Sequence, residues 1–257
     1  MNRIASAALT ILILATSAEA IADEIVTETR PVDARVLKVI VDGVIDLKLK
    51  QGAVAALTIS GEKRFVRQVV TSARGDTLDI DADRESRSVH FNRDDKQQLR
   101  AELTLPNLSE FTSRGVGSTD VAGFSGKEVK LGLEGAGVVT FNGRYRAVNA
   151  RLGGVGSLTL NTGESELVDL RMSGAGQITV TGTSKLLRAK LGGIGGLDAE
   201  KLVADAVELN LTGLGGATVY AKESATLNLT GLGSATVYGK PAQRTSNARG
   251  MGSVAFK

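Results

Sequence analysis

From residue 111 onward, apolar and polar residues alternate in short runs, and the runs recur at a fixed period. Val129, Leu131 and Leu133 point one way in one run, and Leu187, Ala189 and Leu191 in another. Val207, Leu209, Leu211 and Ala225, Leu227, Leu229 repeat the pattern. Arg188, Lys190, Glu208, Asn210, Thr226 and Asn228 stand between them. Period-2 alternation predicts strands with one buried face. Each run ends at a Gly-x-Gly tripeptide, and the eight copies are separated by 20, 19, 20, 19, 20, 18 and 19 residues. The paired glycines are Gly115/Gly117, Gly135/Gly137, Gly154/Gly156, Gly174/Gly176, Gly193/Gly195, Gly213/Gly215, Gly231/Gly233 and Gly250/Gly252. A period of this size marks one stacked unit.

Aligned on the tripeptide, two columns are almost wholly apolar. One runs Thr119, Val139, Leu158, Ile178, Leu197, Ala217, Ala235, Val254; the other Val121, Phe141, Leu160, Val180, Ala199, Val219, Val237, Phe256. Between them lies Asp120, Thr140, Thr159, Thr179, Asp198, Thr218, Thr236, Ala255. Both glycines of each pair read as members of a sharp corner, where positive φ or close backbone approach excludes a Cβ. A second turn is marked by Gly143, Gly163, Gly182 and Gly239-Lys240-Pro241. The fold expected is all-β, a right-handed parallel β-helix of about eight regular 19–20-residue rungs over 111–257. The leucine-rich pattern and a six-residue period are both absent, and the alternation excludes helical repeats.

Residues 33–110 form an expected irregular N-terminal part of the solenoid. Strands are predicted at Val36 to Val41, Ile45 to Leu49, Leu57 to Ser60, Leu78 to Ile80, Ser88 to Asn92 and Leu99 to Leu105, with a short helix from Glu62 to Val70. Val41-Asp42-Gly43-Val44-Ile45-Asp46 looks like a degraded corner. Such a segment would cap the open first rung, and Thr245, Asn247 and Arg249 suit a closing one.

The segment Leu47-Lys48-Leu49-Lys50-Gln51-Gly52, then Leu57-Thr58-Ile59-Ser60-Gly61, then Leu103-Thr104-Leu105-Pro106-Asn107-Leu108 precedes the series of corners. This order resembles the bacterial exported family labelled putative auto-transporter adhesin, head GIN domain, over roughly residues 33–240. The resemblance implies a parallel β-helix and an envelope or secreted location.

Composition narrows the setting. Residues 1–20 read as a signal peptide: Arg3, an apolar run Ala7 to Ala15, and cleavage near Ala20 or Ala22. The expected location is periplasmic or extracellular. No Cys follows the apolar run, which excludes an acylated lipoprotein, and no later segment would span a membrane as a helix. The net charge of +3 is no nucleic-acid signature. Aromatics make up only 4% of the chain, which suits thin layers filled by Val, Leu, Ala and Ile.

Candidate chemistry is sparse, and no cofactor, metal or catalytic residue is expected. Gly-Ile-Gly-Gly at 193–196 completes no phosphate-binding fingerprint. Acidic nonapeptide calcium sites need an Asp per copy, and only Asp120 and Asp198 occur in that column. Asp79, Asp81 and Asp83 read as a solvated strand face, nearly 7 Å from one to the next. With no Cys and a single His, His90, nucleophilic triads have little to stand on. Glu134, Asp169 and Glu208 form no evident glycosidase pair. Stacking would place Arg151, Arg171 and Lys190 above one another beside Arg188, with partial compensation by Asp169. Such a ladder could hold anionic sugars or lipid head groups. Asn142, Asn161, Thr181, Tyr220 and Tyr238 would flank the Thr column. The residues between the paired glycines are Val116, Ala136, Val155, Ala175, Ile194, Leu214, Leu232 and Met251; the corners are expected to turn them inward, since exposed apolar ladders are rare. The expected role is a non-enzymatic, adhesin-like envelope module contacting polysaccharide or another envelope component. A polysaccharide-acting enzyme on the same fold and a ligand-free structural protein are the alternatives.

Overall fold

The computed structural model describes residues 24–82 and 99–257. The expected signal peptide, the strand at 88–92, Asp83 and His90 lie outside them. The described chain is a β-solenoid of stacked parallel coils with an N-terminal cap. Before the regular part come β1 (Ile25–Arg30), β2 (Lys38–Gly43), β3 (Asp46–Gln51), β4 (Ala56–Glu62), α1 (Lys63–Val66), β5 (Val70–Arg74), β6 (Thr77–Ala82), β7 (Arg100–Leu105) and β8 (Glu110–Ser113). Six long strands follow: β9 (Val116–Leu133), β10 (Ala136–Leu152), β11 (Val155–Met172), β12 (Ala175–Leu191), β13 (Ile194–Leu211) and β14 (Leu214–Gly231). β15 (Ser234–Tyr238), β16 (Gln243–Gly250) and β17 (Ser253–Phe256) end the chain.

Each long strand pairs in parallel with the one before it, in the register the columns predict. Val139 lies between Thr119 and Leu158, and Leu158 opposite Ile178. Those columns and the ones before the corner form the core. Bulk is graded along it. Phe111, Phe124, Phe141 and Tyr145 fill the first rungs, and Ala199, Ala217, Ala221, Ala225 and Ala235 the last. The variation between 19 and 20 residues is absorbed at the second turn, where the ladders slip between Asn142 and Ala147, Asn161 and Glu164, and Thr179 and Gly182. The Gly-x-Gly segments keep their register.

The corner is narrower than expected. Only the first glycine of each pair, Gly115, Gly135, Gly154, Gly174, Gly193 and Gly213, stands in the bend. The second members, Gly117, Gly137, Gly156, Gly176, Gly195 and Gly215, are not corner residues. Each is the second residue of a long strand, and they pair with one another from coil to coil. Their φ lies between +139° and +159°, open enough for the backbone to stay in the ladder. They need glycine twice over, for a φ that side chains rarely adopt and for close approach. A Cβ on Gly137 would run into the Gly117 carbonyl, one on Gly156 into the Gly137 carbonyl, and one on Gly215 into the Gly195 carbonyl. A Cβ on Gly117 would meet the Ile45 carbonyl of the cap in the same way. At the seventh and eighth copies the order shifts: Gly231 ends β14 and Gly250 ends β16, and the bend passes to Leu232 and Met251.

The cap departs from chain order. β2 pairs with both β6 and β8, and β3 with both β7 and β9, all in parallel. The first coil in sequence is therefore sandwiched: the chain runs outward to build the end coil, then returns past it to start the regular stack. The end coil is closed by antiparallel strands, β5 on β6, β4 on β7 and β1 on β4. Antiparallel pairing of this kind ends a parallel stack and removes its open edge. Gly43 is the expected degraded corner: Val44 bridges to Val116, and Asp46 Oδ1 accepts a 2.8 Å hydrogen bond from Ser118 N. The helix expected from Glu62 to Val70 is cut back to a single turn, Lys63–Val66: Glu62 is still extended (ψ 134°) and Val70 already starts β5. Strands β1 and β5 lie outside the expected ones.

Candidate functional site

The stacking places Arg151, Arg171 and Lys190 opposite one another on β10, β11 and β12, all exposed. Consecutive members are one strand spacing apart, about 4.8 Å. The column rises from Ile40, Thr112 and Gly132 below and continues into Asn210, Asn228 and Asn247, where Asn228 Nδ2 donates to Asn210 Oδ1 at 3.1 Å. The neighbouring column, two residues upstream, runs Lys38, Glu110, Lys130, Asn149, Asp169, Arg188, Glu208, and its charges alternate in sign where they touch. Opposite charges directly across a ladder stabilise it. Arg188 donates to Glu208 at 2.8 Å, which raises its pKa further, and lies 3.9 Å from Asp169. Asp169, buried to 7% exposure, also accepts from Arg171 Nε at 3.2 Å. Arg171 is thus partly compensated. Arg151 and Lys190 pair with no carboxylate among the described residues.

The residues between the paired glycines do not turn inward. Val116, Val155, Ile194, Leu214, Leu232 and Met251 are 46–83% exposed, and Val44 joins them at 47%. Ala136 is exposed and Ala175 half-buried. The reason is that alternation runs unbroken through the bend. Leu133 and Val139 face the core, so Gly135 and Gly137 inherit the inward side and Ala136 the outward. The glycines fill the inward places where adjacent coils pinch together. The outcome is an apolar ridge along the solenoid. Its neighbours in the middle part are mostly small: Gly153, Ser173 and Gly192 on one side, and Ser157, Gly196 and Gly216 on the other, where Gln177 stands between Ser157 and Gly196.

A groove of about 740 Å³ lies at the second turn, lined by Arg144, Arg146, Glu164, Glu166, Lys185, Asp205 and Lys222 with Ser165, Thr183, Ser184 and Val203. No sequence signal marked it, because its walls come from the irregular turn where the ladders slip. Its charges are largely spent internally. Glu166 is held by Arg146 (3.0 Å) and Lys185 (3.7 Å), and Asp205 by Lys222 (3.5 Å). Ser165 and Ser184 donate to the Thr183 and Leu186 carbonyls, both at 3.0 Å. Glycoside hydrolysis needs two available carboxylates. Only Glu164 lacks an ion pair here.

The Thr column is stacked as expected, and Tyr220 lies opposite Tyr238. The Tyr238 face is partly taken, with Lys257 Nζ 5.7 Å from its ring centre. Asp79 and Asp81 share a face of β6. No group of three metal-ligating side chains converges among the described residues. No helix among them is long and apolar enough to cross a membrane.

The architecture has solved counterparts. A putative adhesin from Parabacteroides distasonis superposes with a TM-score of 0.79 at 18% identity, covering 92% of this chain and 98% of its own. A protein from the same organism described as a putative lipid binding protein gives 0.75 at 19%, covering 90% and 96%. A putative adhesin from Bacteroides fragilis gives 0.67 at 21%, covering 92% and 98%. These likenesses establish a shared fold. No curated protein matches the chain. The sequence model that does match spans residues 37–241, from β2 to the turn after β15. The chain belongs to the family described as putative auto-transporter adhesin, head GIN domain.

Proposed function

We propose that the protein is an exported, non-enzymatic, adhesin-like module of the bacterial cell envelope that holds anionic glycans on the ladder Arg151, Arg171 and Lys190. The observation that carries this reading is the in-register stack of three exposed cations, two of them without a carboxylate partner. Like charges one strand spacing apart repel. A polyanion running along the solenoid axis would relieve that repulsion and meet a cation at each coil. The family's adhesin description agrees with it. The groove at the second turn, with one unpaired carboxylate, gives the polysaccharide-acting enzyme less support.

The test is a glycan array with the wild-type protein and the R151A/R171A/K190A variant. The wild type is expected to retain sulfated or uronic-acid glycans over neutral ones. Three exposed contacts at roughly 0.5–1 kcal/mol each imply a loss of about tenfold to a hundredfold in the variant. Raising the salt should weaken the wild type far more than the variant, because exposed charges are screened. Equal binding by the two proteins, or none by either, would remove the ladder from function.

A further inference from the structure

The ridge calls for a partner. Soluble proteins rarely expose so long an apolar line, and this one carries every tripeptide of the repeat. Its side chains are not uniform. The first four copies present Val116, Ala136, Val155 and Ala175, and the last four Ile194, Leu214, Leu232 and Met251. The smaller half is thus followed by the larger half. Set beside a second ridge running the opposite way, copy one meets copy eight: Val116 faces Met251, Ala136 faces Leu232, Val155 faces Leu214, and Ala175 faces Ile194. Every small residue then meets a larger one. A parallel arrangement would oppose Met251 to Met251 and leave Ala136 facing Ala136. Self-complementarity of the antiparallel kind is what a two-fold interface requires.

We propose that a second copy of this chain covers the ridge, antiparallel, with the two-fold axis between the Ala175 and Ile194 coils. This goes beyond the glycan reading and does not depend on it. Eight coils at about 4.8 Å give a contact roughly 34 Å long, and one flanking column on each side makes it about 14 Å wide. That is about 500 Å² per partner, near the lower bound for a specific interface. The dimer is therefore concentration-dependent, with a Kd on the order of 10 µM. Such an axis leaves both basic ladders on the same side of the pair, Arg171 and Lys190 closest to it. The ladders repel weakly across the seam, so salt that screens them favours association.

Sedimentation of the purified protein between about 5 and 200 µM reads the monomer–dimer balance. The weight-average mass is expected to rise toward twice the monomer, and to rise further at 300 mM than at 50 mM NaCl. The I194D/L214D variant changes only exposed side chains, so its circular dichroism should match the wild type while it stays monomeric. The chain has no native Cys, so orientation can be read by cross-linking. An oxidised mixture of A136C and L232C should give a mixed disulfide dimer, and each variant alone should not. Efficient self-linking of A136C would indicate a parallel pair and overturn the proposal. So would a wild type monomeric throughout the range, or a dimer that survives I194D/L214D. A wild-type monomer that instead sediments with anionic phospholipid vesicles, and loses this on I194D/L214D, would assign the ridge to a membrane.

Discussion

Replacing Gly195 with alanine is expected to destabilise the solenoid by at least about 4 kcal/mol, Gly174→Ala by about 3, and Gly75→Ala by only about 1. The three positions separate two causes. At Gly75 φ is +63° and a Cβ would meet nothing within 4 Å, so backbone strain acts alone. At Gly174 φ is ordinary, but a Cβ would lie under 3.0 Å from the carbonyl oxygen of Gly154 in the coil below. There the cost is steric. At Gly195 both apply: φ is +139°, and the Cβ would run into the Gly176 carbonyl. Gly176 is the equivalent strand residue of the neighbouring coil, so relieving the clash means lifting one coil off the next. A solenoid is held by nearest-neighbour interfaces, and the damage should spread to the coils on either side. Thermal melts test the order, with about 2–4 °C per kcal/mol for a domain of this size. Hydrogen exchange should show protection lost first in β12 and β13. A Gly195 variant that melts with the Gly75 variant would mean that the ladder yields easily there, and the two-glycine requirement would fall.

The seventh corner shows what happens when the pattern slackens. The step into it is 18 residues. Gly231, not Gly233, has the positive φ there, +113°, and a Cβ on Gly231 would meet the coil below at an ordinary 3.5 Å. The continuous strand also ends at this point, and β15, β16 and β17 are short. Substitutions at Gly231 should therefore cost less than at Gly195.

Much of this was legible in the columns. Repetition places each residue over its counterpart, so register follows from alignment, and the stacking of Arg151, Arg171 and Lys190 follows from register. Outward placement of Val155 or Ile194 was legible too, had alternation been carried through the corner. A break in the pattern at Gly156 or Gly195 implies the opposite placement, and it is as inward strand residues that these glycines keep the alternation going. The order of coils in the cap could not be read. Alternation in Val39, Val41, Leu47 and Leu49 says which face is buried and nothing about which coil lies above or below. Antiparallel closure by β1, β4 and β5 is equally silent, since a strand's alternation is the same in either direction. The groove at the second turn depends on where the ladders slip, and no residue type marks a slip.

Tyr145 is the other side chain whose role emerges only in three dimensions, and it carries the second large effect. It sits on β10 at 2% exposure, its ring against Gly126 of the coil below and 6.1 Å from that of Phe141. Its hydroxyl donates to the Leu108 carbonyl at 2.6 Å. That carbonyl closes the Leu-Pro-Asn-Leu segment joining the cap to the regular coils, so one phenol ties the two parts together. Tyr145→Ala should cost about 3–5 kcal/mol, for the cavity and the lost ring contacts. Tyr145→Phe keeps the ring and strands a buried carbonyl, at about 1–3 kcal/mol. Burial also pushes the Tyr145 phenol up to about 12, against about 10 in an unfolded chain. A pKa raised by folding leaves stability intact below the unfolded value. Stability is then lost as pH climbs toward the folded value, because the unfolded chain releases its proton first. The wild type should thus weaken between pH 10 and pH 12 by roughly 3 kcal/mol in all, a loss Tyr145→Phe cannot share. Tyr220 and Tyr238 are common to both proteins and cancel. Denaturant titrations at pH 8 and pH 11.5 should find the wild type ahead at the lower pH and its lead cut by roughly 2 kcal/mol at the higher. A lead that stays constant across that interval would mean the phenol ionises as freely in the fold as outside it, and that the cap is not held through the Tyr145 proton.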